Sequence, residues 1–463
     1  MARINVDEWG AEAPDRIERR GGRLGEVEAA VRRLPPSARG AVVVGLLALL
    51  PALAHSGYIV QVGVSGLLMA ILAVGLNVTA GWAGLLDLGY VAFYGFGAYT
   101  YALLSSPQIH VELPGIVVLL VVLVASALLG AVVGLPSIRL VGDYLAIVTL
   151  FFGEAFVQVV TNVAPNVLGG PGGIPGANQL DLLGLHLMSV NVEYWFLLGF
   201  GALAGALLFN LNRSRLGRGW RALRENSLAA EVMGVPVNRM KLLAFTIGAT
   251  IAGLTGTVFA SVEYGAYPTS FDSELLIMVY AAVVLGGTGS LPGVVIGAAV
   301  VVVLPEILRS PSSADYLFYL LVLVAILGWL RPWRRPAAVL SGVLAAGFAT
   351  RALVAGAWPR TLAGSPFLGD FGKWWMVTLK DPTGGGDVGF IALVAGFVLV
   401  LQARGRLRDA LLALLVYLAA FVWQNLLVYQ PAITRELMLG VLLIAAMNLR
   451  PQGLLGEARV EVV

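Results

Sequence analysis

The chain has 463 residues, of which 58% are hydrophobic and only 12% are charged. Soluble domains carry about a quarter charged residues, so this composition places the chain in a lipid bilayer and argues against a large soluble α-helical protein. The absence of cysteine excludes disulfides and thiolate ligands. The three histidines (His55, His110 and His186) are far apart in the sequence and give no indication of a metal site. The net charge of +3 gives no indication of nucleic-acid binding.

A polar tail precedes the first apolar run. Residues 1–40 contain eight Arg and seven acidic residues, and we expect no removable signal peptide there. Stretches that are apolar on all sides then recur along the chain, most of them of about the length that crosses a bilayer as a helix. The sequence therefore predicts an all-α, polytopic membrane protein. We expect spans at roughly 42–55, 58–78, 88–104, 114–135, 144–162, 192–211, 242–261, 274–288, 292–308, 315–330, 337–356, 388–403, 409–428 and 433–449.

The distribution of Arg residues predicts the orientation in the membrane. Arg-rich connections favour the cytoplasm, and with the N-terminus inside, six spans bring residues 213–241 to that side. The Arg-rich segments 331–335 and 404–408 fall on the same side by the same count. The loop Thr161–Asn191 contains no Lys or Arg and falls outside. We therefore expect both termini in the cytoplasm.

Two glycine-rich segments interrupt the apolar pattern. Gly75–Gly89 reads GLNVTAGWAGLLDLG and Val283–Gly297 reads VVLGGTGSLPGVVIG. Glycine and proline permit unwound or re-entrant backbone at membrane depth, where protein or a water-filled cavity must shield it, and such breaks indicate a transport route. Close helix packing on small residues, or a tight hairpin, explains the same composition. Both explanations stay open for the first segment, and we favour a hairpin for the second.

The segment Arg213–Lys241 is cationic, with seven Lys and Arg against two acidic residues. Ser227 is the predicted N-cap of a short helix over Leu228–Met233, Gly234 its C′ residue and Pro236 its stop. A helix of about six residues is unstable alone in water, so another surface must pack against it.

An apolar patch on this segment is formed by Leu223, Leu228, Val232 and Met233. Four arginines frame the patch: Arg215, Arg218, Arg221 and Arg224. Its partner is either the lipid surface, through anionic headgroups, or a pocket of another protein.

The stretch LAAEVMG, Leu228–Gly234, resembles the cytoplasmic EAA loop of ABC importer permeases, in which a first residue precedes two alanines, three variable positions and a glycine. Ala229, Ala230 and Gly234 match that pattern. The usual glutamate of the family is Leu228 here, so no role of a carboxylate is carried over. The resemblance implies that this segment, with Arg224 beside it, is the coupling helix that enters a groove on the ATPase subunit.

Longer blocks resemble the branched-chain amino acid ABC transporter permease family, specifically its larger permease. These are GLNVTAGWAGLLDLGYVAFYGFGAYTYALL, LVGDYLAIVTLFFGEAF, GGPGGI, VVLGGTGSLPGVVIGAAVVVVLPEIL and the terminal LRPQGLLG. The resemblance implies an importer permease fold with broken helices in a bacterial inner membrane, and branched-chain or related hydrophobic amino acids as substrate. It implies ABC ATPase subunits, a second homologous permease and a periplasmic solute-binding protein as partners, with no cofactor on this chain.

The chain departs from this family by an insertion. Residues 314–332 resemble the family's last helix, yet about 100 residues follow before the stretch that ends in RPQGLLG. We therefore divide the chain into a tail (1–40), a core permease domain (41–332), an insert (333–432) and a final span with its tail (433–463). The insert adds roughly three spans and an outer loop. Its tryptophans, Trp358, Trp374 and Trp375, are expected at the lipid interface, with docking of a binding protein as the alternative.

Acidic residues near membrane depth are candidates for the substrate pathway. A charge at the bilayer centre costs roughly 2.5–3.5 kcal/mol on insertion scales, so one that is kept there has a partner or a task. Glu154 lies within a predicted span, and Asp87 lies beside the first glycine-rich segment with Asn77 and Thr79. These four residues are the predicted pathway residues, and the alternative is a structural partner between helices for each acid.

No catalytic machinery is recognisable in the sequence. A P-loop requires GxxxxGK[ST], which does not occur, and no nucleophile lies beside a base in a recognisable motif. We therefore expect a transport subunit and not an enzyme. Two other classes stay open: a stand-alone ion-coupled secondary transporter or channel for small polar solutes, and a non-transporting membrane scaffold.

Overall fold

The computed structural model describes residues 40, 43–45, 47–54, 56–106, 113–140, 142–182, 185–186, 189–330, 334–358, 361–362, 374–380, 382–449 and 453–455. The predicted N-terminal tail up to residue 39, two of the histidines (His55 and His110) and the C-terminal tail from residue 456 lie outside these residues.

Helices account for nearly all of the regular structure. In the first half they are α1 (Leu50–Leu53), α2 (Gly57–Leu76), α3 (Tyr90–Ser105), α4 (Gly115–Ser137), α5 (Asp143–Asn162), α6 (Pro165–Leu168), α7 (Val190–Arg213), α8 (Arg215–Glu225), α9 (Ser227–Val232) and α10 (Val237–Val262). In the second half they are α11 (Ser273–Gly286), α12 (Leu291–Ile307), α13 (Pro311–Trp329), α14 (Arg334–Ala357), α15 (Pro382–Gln402), α16 (Gly405–Asn425) and α17 (Pro431–Leu449).

Nine helices within the described residues are long and apolar enough to cross a membrane. Shorter apolar helices occupy Leu291–Ile307 and Ser312–Gly328, and α3 has 16 residues. The all-α, polytopic fold expected from the composition is confirmed. Most predicted spans agree with observed helices to within a few residues, because a run of apolar residues between polar turns is sufficient to define a membrane helix.

Helix α10 is the centre of the bundle and packs most extensively against α3 and α4. Glycines allow this close approach: a Cβ atom added at Gly97 of α3 would overlap the backbone of Gly253, and one at Gly256 would overlap the carbonyl of Tyr94. Small residues let membrane helices gain dispersion contacts and backbone proximity where no hydrophobic effect drives them together.

The two glycine-rich segments have different structures. Between α11 and α12 the chain makes a tight turn at residues 287–290, so the expected hairpin is confirmed. After α2 the chain forms a π-helical turn, Asn77–Trp82, and an irregular connection before α3 begins at Tyr90. The helix is therefore broken at the first segment.

The chain alternates between two ends of the bundle. At one end lie α8, α9, the π-helical turn and the turn at 287–290. At the other end, the loop after α5 forms β1 (Ile174–Pro175), which pairs antiparallel with β4 (Gly265–Ala266), and the hairpin of β2 (Asp181–Leu182) and β3 (Leu185–His186).

Residues 333–432 contain α14, α15 and α16. Together with α13 they enclose a second core, in which Phe318 stacks on Trp423 with ring centroids 4.4 Å apart. Trp375 is 6% exposed and packs edge-on against Tyr417, so the prediction that it anchors at the lipid interface is wrong. The short segment 374–380 carries the ring of Trp375 into this core, whereas Trp374 beside it is exposed.

The final helix α17 returns to the first core. It packs against α11 and α12, and the segment after it reaches the end of α11. There the backbone N–H groups of Leu454 and Leu455 donate to the carbonyls of Leu285 and Gly286 at 2.9 and 3.0 Å. The C-terminal segment therefore contacts the core helices although α14, α15 and α16 precede α17 in the chain.

The packing of α3 on α10 makes a testable prediction. Replacing Gly97 by Ala forces a methyl group into the backbone of Gly253, and such overpacking costs about 1–3 kcal/mol. We expect a lower midpoint of thermal unfolding in detergent, measured by the loss of the monodisperse chromatographic peak. The control is Gly199→Ala on α7, where no described atom outside the adjoining turns of α7 lies within 4 Å of the added methyl group, so its midpoint should not fall. Equal midpoints for the two variants would contradict the close-packing account.

Candidate coupling segment and substrate pathway

Helix α8 lies across the end of the bundle with one apolar face. Ser214 caps it by accepting from the N–H of Leu216 at 3.1 Å, and Gly217, Trp220 and Leu223 are buried. The indole N–H of Trp220 donates to the carbonyl of Met240 at 2.9 Å. This bond fixes α8 to the first turns of α10.

Helix α9 follows after a single residue, Asn226. The predicted N-cap, Ser227, is wrong by one position: Asn226 is extended, and its side-chain oxygen accepts from the N–H groups of Leu228 and Ala229, each at 3.0 Å. Asparagine caps at least as well as serine, and the extended backbone of Asn226 puts its amide in reach. At the other end, Gly234 has φ +84°, the left-handed conformation expected of a C′ glycine.

The apolar patch is smaller than predicted. Leu228, Val232 and Met233 are 70%, 81% and 83% exposed, whereas Leu223 lies on the buried face of α8 and does not belong to the patch. Ala230 is buried against the bundle, and Ala229 is exposed. The short helix therefore rests on Ala230 and presents three large apolar side chains outward.

Arg224 does not frame the patch as predicted, because its side chain turns into the bundle. Its Nη1 donates to the carbonyl of Gly81 at 2.5 Å and its Nη2 to the hydroxyl of Thr288 at 3.0 Å. Arg221, one turn earlier, is exposed and donates to the side chain of Asn212 at 3.0 Å.

Three of the four predicted pathway residues lie together at the broken helix. Asn77 and Thr79 are fully buried in the π-helical turn, and Asp87 is 1% exposed in the connection to α3. The side-chain oxygen of Asn77 accepts from the N–H of Gly289 at 2.8 Å, and the hydroxyl of Thr79 donates to the carbonyl of Leu76 at 3.0 Å.

The connection that holds Asp87 is folded back into the bundle. The hydroxyl of Tyr280 donates to the carbonyl of Asp87 at 2.9 Å, and the N–H of Gly89 donates to its carboxylate at 3.2 Å. Tyr280 lies six residues before the end of α11 at Gly286, which is about 9 Å at helical rise. Asp87 is therefore buried well inside this end of the bundle.

The fourth residue, Glu154, lies on an exposed face of α5. Its carboxylate accepts from the hydroxyl of Ser273 at the start of α11, at 2.5 Å. Glu154, Ser273 and Leu88 line one narrow groove beside the connection. The structure thus keeps Glu154 apart from the cluster at the broken helix but beside the same connection.

The partners of the broken helix were not predicted from the sequence. Trp82 donates from its indole N–H to the carbonyl of Gly289 at 2.9 Å and stacks on Trp220, with ring centroids 6.2 Å apart. A tryptophan within a glycine-rich interruption and another in a cationic segment were visible in the sequence, yet nothing local indicates that they pair.

The cap of α9 makes a testable prediction. Replacing Asn226 by Ala removes both side-chain bonds, and the loss of such a cap costs about 0.5–2 kcal/mol. We expect the amides of residues 228–234 to exchange hydrogen roughly two- to thirtyfold faster, as measured by mass spectrometry. Asn226→Asp keeps the acceptor and should retain the protection. Unchanged exchange in Asn226→Ala would mean that packing alone holds α9.

Comparison with known proteins supports the resemblance. The family described as branched-chain amino acid transport system / permease component matches residues 58–327. The chain is 36% identical over 310 residues to the high-affinity branched-chain amino acid transport system permease protein LivM of Salmonella typhimurium, covering 60% of this chain and 71% of the relative. It is 36% identical over 305 residues to LivM of Escherichia coli, with the same coverage.

A second permease protein of the Salmonella typhimurium system, LivH, is 32% identical over 125 residues, which are 26% of this chain and 40% of LivH. No solved structure matches the chain. The family matches more than half of the sequence, and the LivM relatives and the helical membrane fold agree with it. The chain therefore belongs to the family of branched-chain amino acid transport permeases.

Proposed function

We propose that this chain is the membrane-spanning permease subunit of an ATP-driven importer of branched-chain or related hydrophobic amino acids. ATP hydrolysis takes place on separate ABC ATPase subunits, and a periplasmic solute-binding protein delivers the amino acid. The observation that carries the proposal is the presence, in a permease of this family, of a capped six-residue helix that presents large apolar side chains outside the bundle.

The exposed side chains of α9 support an ATPase groove as its partner. Leu228, Val232 and Met233 extend from a connection between helices, where exposed residues are ordinarily polar. Ala229 and Gly234 keep the rest of the helix narrow enough to enter a groove. Within this proposal, Ala230 supports the helix on the bundle and Arg224 connects it to the core.

The arrangement of the helices supports a cytoplasmic location for this end of the bundle. Regular alternation brings the connection at residues 403–404 and the C-terminal segment 453–455 to the end at which α8 and α9 lie. The Arg residues of the chain concentrate at these connections, which is the distribution typical of cytoplasmic loops. The protein is then a multi-pass protein of a bacterial inner membrane, with both termini in the cytoplasm.

A second homologous permease completes the pathway in this proposal. The relatives LivM and LivH of Salmonella typhimurium are both named as permease proteins of a branched-chain amino acid transport system, which supports a pair of such subunits. The substrate route runs beside the broken helix, where Asn77, Thr79 and Asp87 cluster and Glu154 lies across a groove. The opposite end, with its two short pairs of antiparallel strands, receives the binding protein.

The insert has a separate role in this proposal. Trp358 and Trp374 are exposed, and amphipathic indole rings favour the headgroup region of a bilayer. The three helices of the insert then enlarge the lipid-facing perimeter of the subunit around the second core.

Co-purification in mild detergent tests the proposed function directly. We expect the chain to retain an ABC ATPase and a second permease, and the reconstituted complex to take up leucine only with ATP and a loaded binding protein. Uptake by the purified chain alone, driven by an ion gradient, would instead establish the secondary transporter, for which the buried Asp87 is the supporting observation. An assembled complex whose ATPase does not respond to substrate would favour a scaffold.

The tip of α9 provides a specific variant. Val232→Asp introduces a carboxylate into the proposed groove, where burial of an unpaired charge costs several kcal/mol. We expect at least a tenfold loss of co-purified ATPase, measured by quantitative immunoblot. Val163→Asp makes the same change at an exposed position after α5, at the other end of the bundle, and should retain the ATPase. Equal retention by both variants would exclude α9 as the docking element.

A further inference from the structure

We propose that Arg224 and Trp220 of α8, together with the π-helical turn Asn77–Trp82 and the turn at residues 287–290, form a mechanical joint that transmits movement of α9 to the substrate pathway. We call these residues the coupling joint. The inference rests on the proposed function, because it assigns the route by which ATPase docking reaches the broken helix.

The joint connects three elements that are distant in sequence. Arg224 bridges two of them, through Nη1 to the carbonyl of Gly81 and through Nη2 to the hydroxyl of Thr288. Both backbone groups of Gly289 bind side chains of the π-helical turn. Its N–H donates to the side-chain oxygen of Asn77, and its carbonyl accepts from the indole N–H of Trp82. Trp82 also stacks on Trp220, so the π-helical turn contacts α8 directly.

The position of the joint couples it to α9. Arg224 lies two residues before Asn226, which is the sole residue between α8 and α9 and caps α9. A displacement of α9 therefore moves the last turn of α8 directly, without a flexible linker to absorb it. On the other side, the π-helical turn leads within a few residues to Asp87.

The π-helical turn has the properties of an element with more than one arrangement. Its hydrogen-bond geometry is uncommon, and such turns occur frequently at functional sites. Among the described residues, the buried side-chain nitrogen of Asn77 has no hydrogen-bond partner, and an unpaired buried donor costs about 1–3 kcal/mol. A shift of the turn that gives this nitrogen a partner would recover that free energy, and this gain favours a second arrangement of the joint.

The third element is held from outside by the C-terminal segment. Leu454 and Leu455 donate to the last carbonyls of α11, immediately before the turn at 287–290. A Cβ atom added at Gly453 would overlap the backbone of Gly287, so the segment lies directly on that turn. The turn is thereby held between the C-terminal segment and Arg224, and α11 carries Tyr280, which binds the connection at Asp87.

Arginine suits this position better than lysine. Its planar guanidinium presents several donors in a fixed fork, so one side chain binds two acceptors on different elements at once, whereas the ammonium of lysine is a point charge on a flexible stem. The geometry of the two bonds therefore orients α8 relative to both partners.

The test compares Arg224→Met and Arg224→Lys with Arg221→Met, a matched control one turn earlier on the same helix, in the full complex reconstituted in proteoliposomes. ATP hydrolysis and leucine uptake are measured with loaded binding protein. We expect Arg224→Met to retain the ATPase and at least half of the basal hydrolysis, but to lose at least tenfold in leucine taken up per ATP hydrolysed. Arg224→Lys should be intermediate, and Arg221→Met should keep the parent's ratio of leucine taken up per ATP hydrolysed, because Arg221 binds Asn212 and not the coupling joint.

A second variant covers the case in which Arg224→Met does not assemble. Thr288→Val removes one acceptor of Arg224 at an exposed position with little change of shape, and it should also lower the uptake per ATP, by a smaller factor. An unchanged ratio of leucine taken up per ATP hydrolysed, in Thr288→Val and in Arg224→Met or Arg224→Lys, would contradict the proposed coupling joint. A parallel fall of hydrolysis and uptake would also contradict the proposal, because such a fall would assign Arg224 to ATPase docking. Failure of the proposed function is distinguishable, since the parent complex would then contain no ATPase.

Discussion

Backbone hydrogen bonding within a bilayer governs how this chain can fold. Every N–H and C=O group in the apolar region must find its partner within the protein. The break after α2 can therefore exist only where other elements supply partners, and Tyr280 and Arg224 do so by donating to the carbonyls of Asp87 and Gly81. The turn between α11 and α12 supports the break in another way, because Gly289 bonds the side chains of Asn77 and Trp82.

Glycine meets this constraint by letting helices approach closely. The contact of Gly97 with Gly253 brings α3 and α10 together, and Gly248 of α10 lies beside Thr79 and Tyr90 at the broken helix. The central helix therefore covers the π-helical turn from one side while α8 covers it from the end. Irregular backbone is tolerated here because the surrounding helices exclude lipid from it.

The fold was predictable to a large extent, and the site only in part. Apolar runs predicted the helices, and the pattern around Gly234 predicted the end of α9, because both depend on neighbouring residues. The cap was assigned to Ser227 instead of Asn226, since two adjacent residues with capping side chains differ only in the backbone conformation they adopt. The burial of Trp375 was not predictable, because its neighbours Tyr319 and Tyr417 come from distant helices.

Composition and local spacing were enough to predict a helical membrane protein, the positions of its helices and a short capped helix among them, and the resemblance of longer blocks indicated the permease family. The inward turn of Arg224, the outward direction of Leu228, Val232 and Met233, and the contact of Asn77 with Gly289 became known from the folded structure. The physical reason is that these contacts join residues 143 and 212 positions apart, and which of several similar side chains makes them depends on how the helices pack.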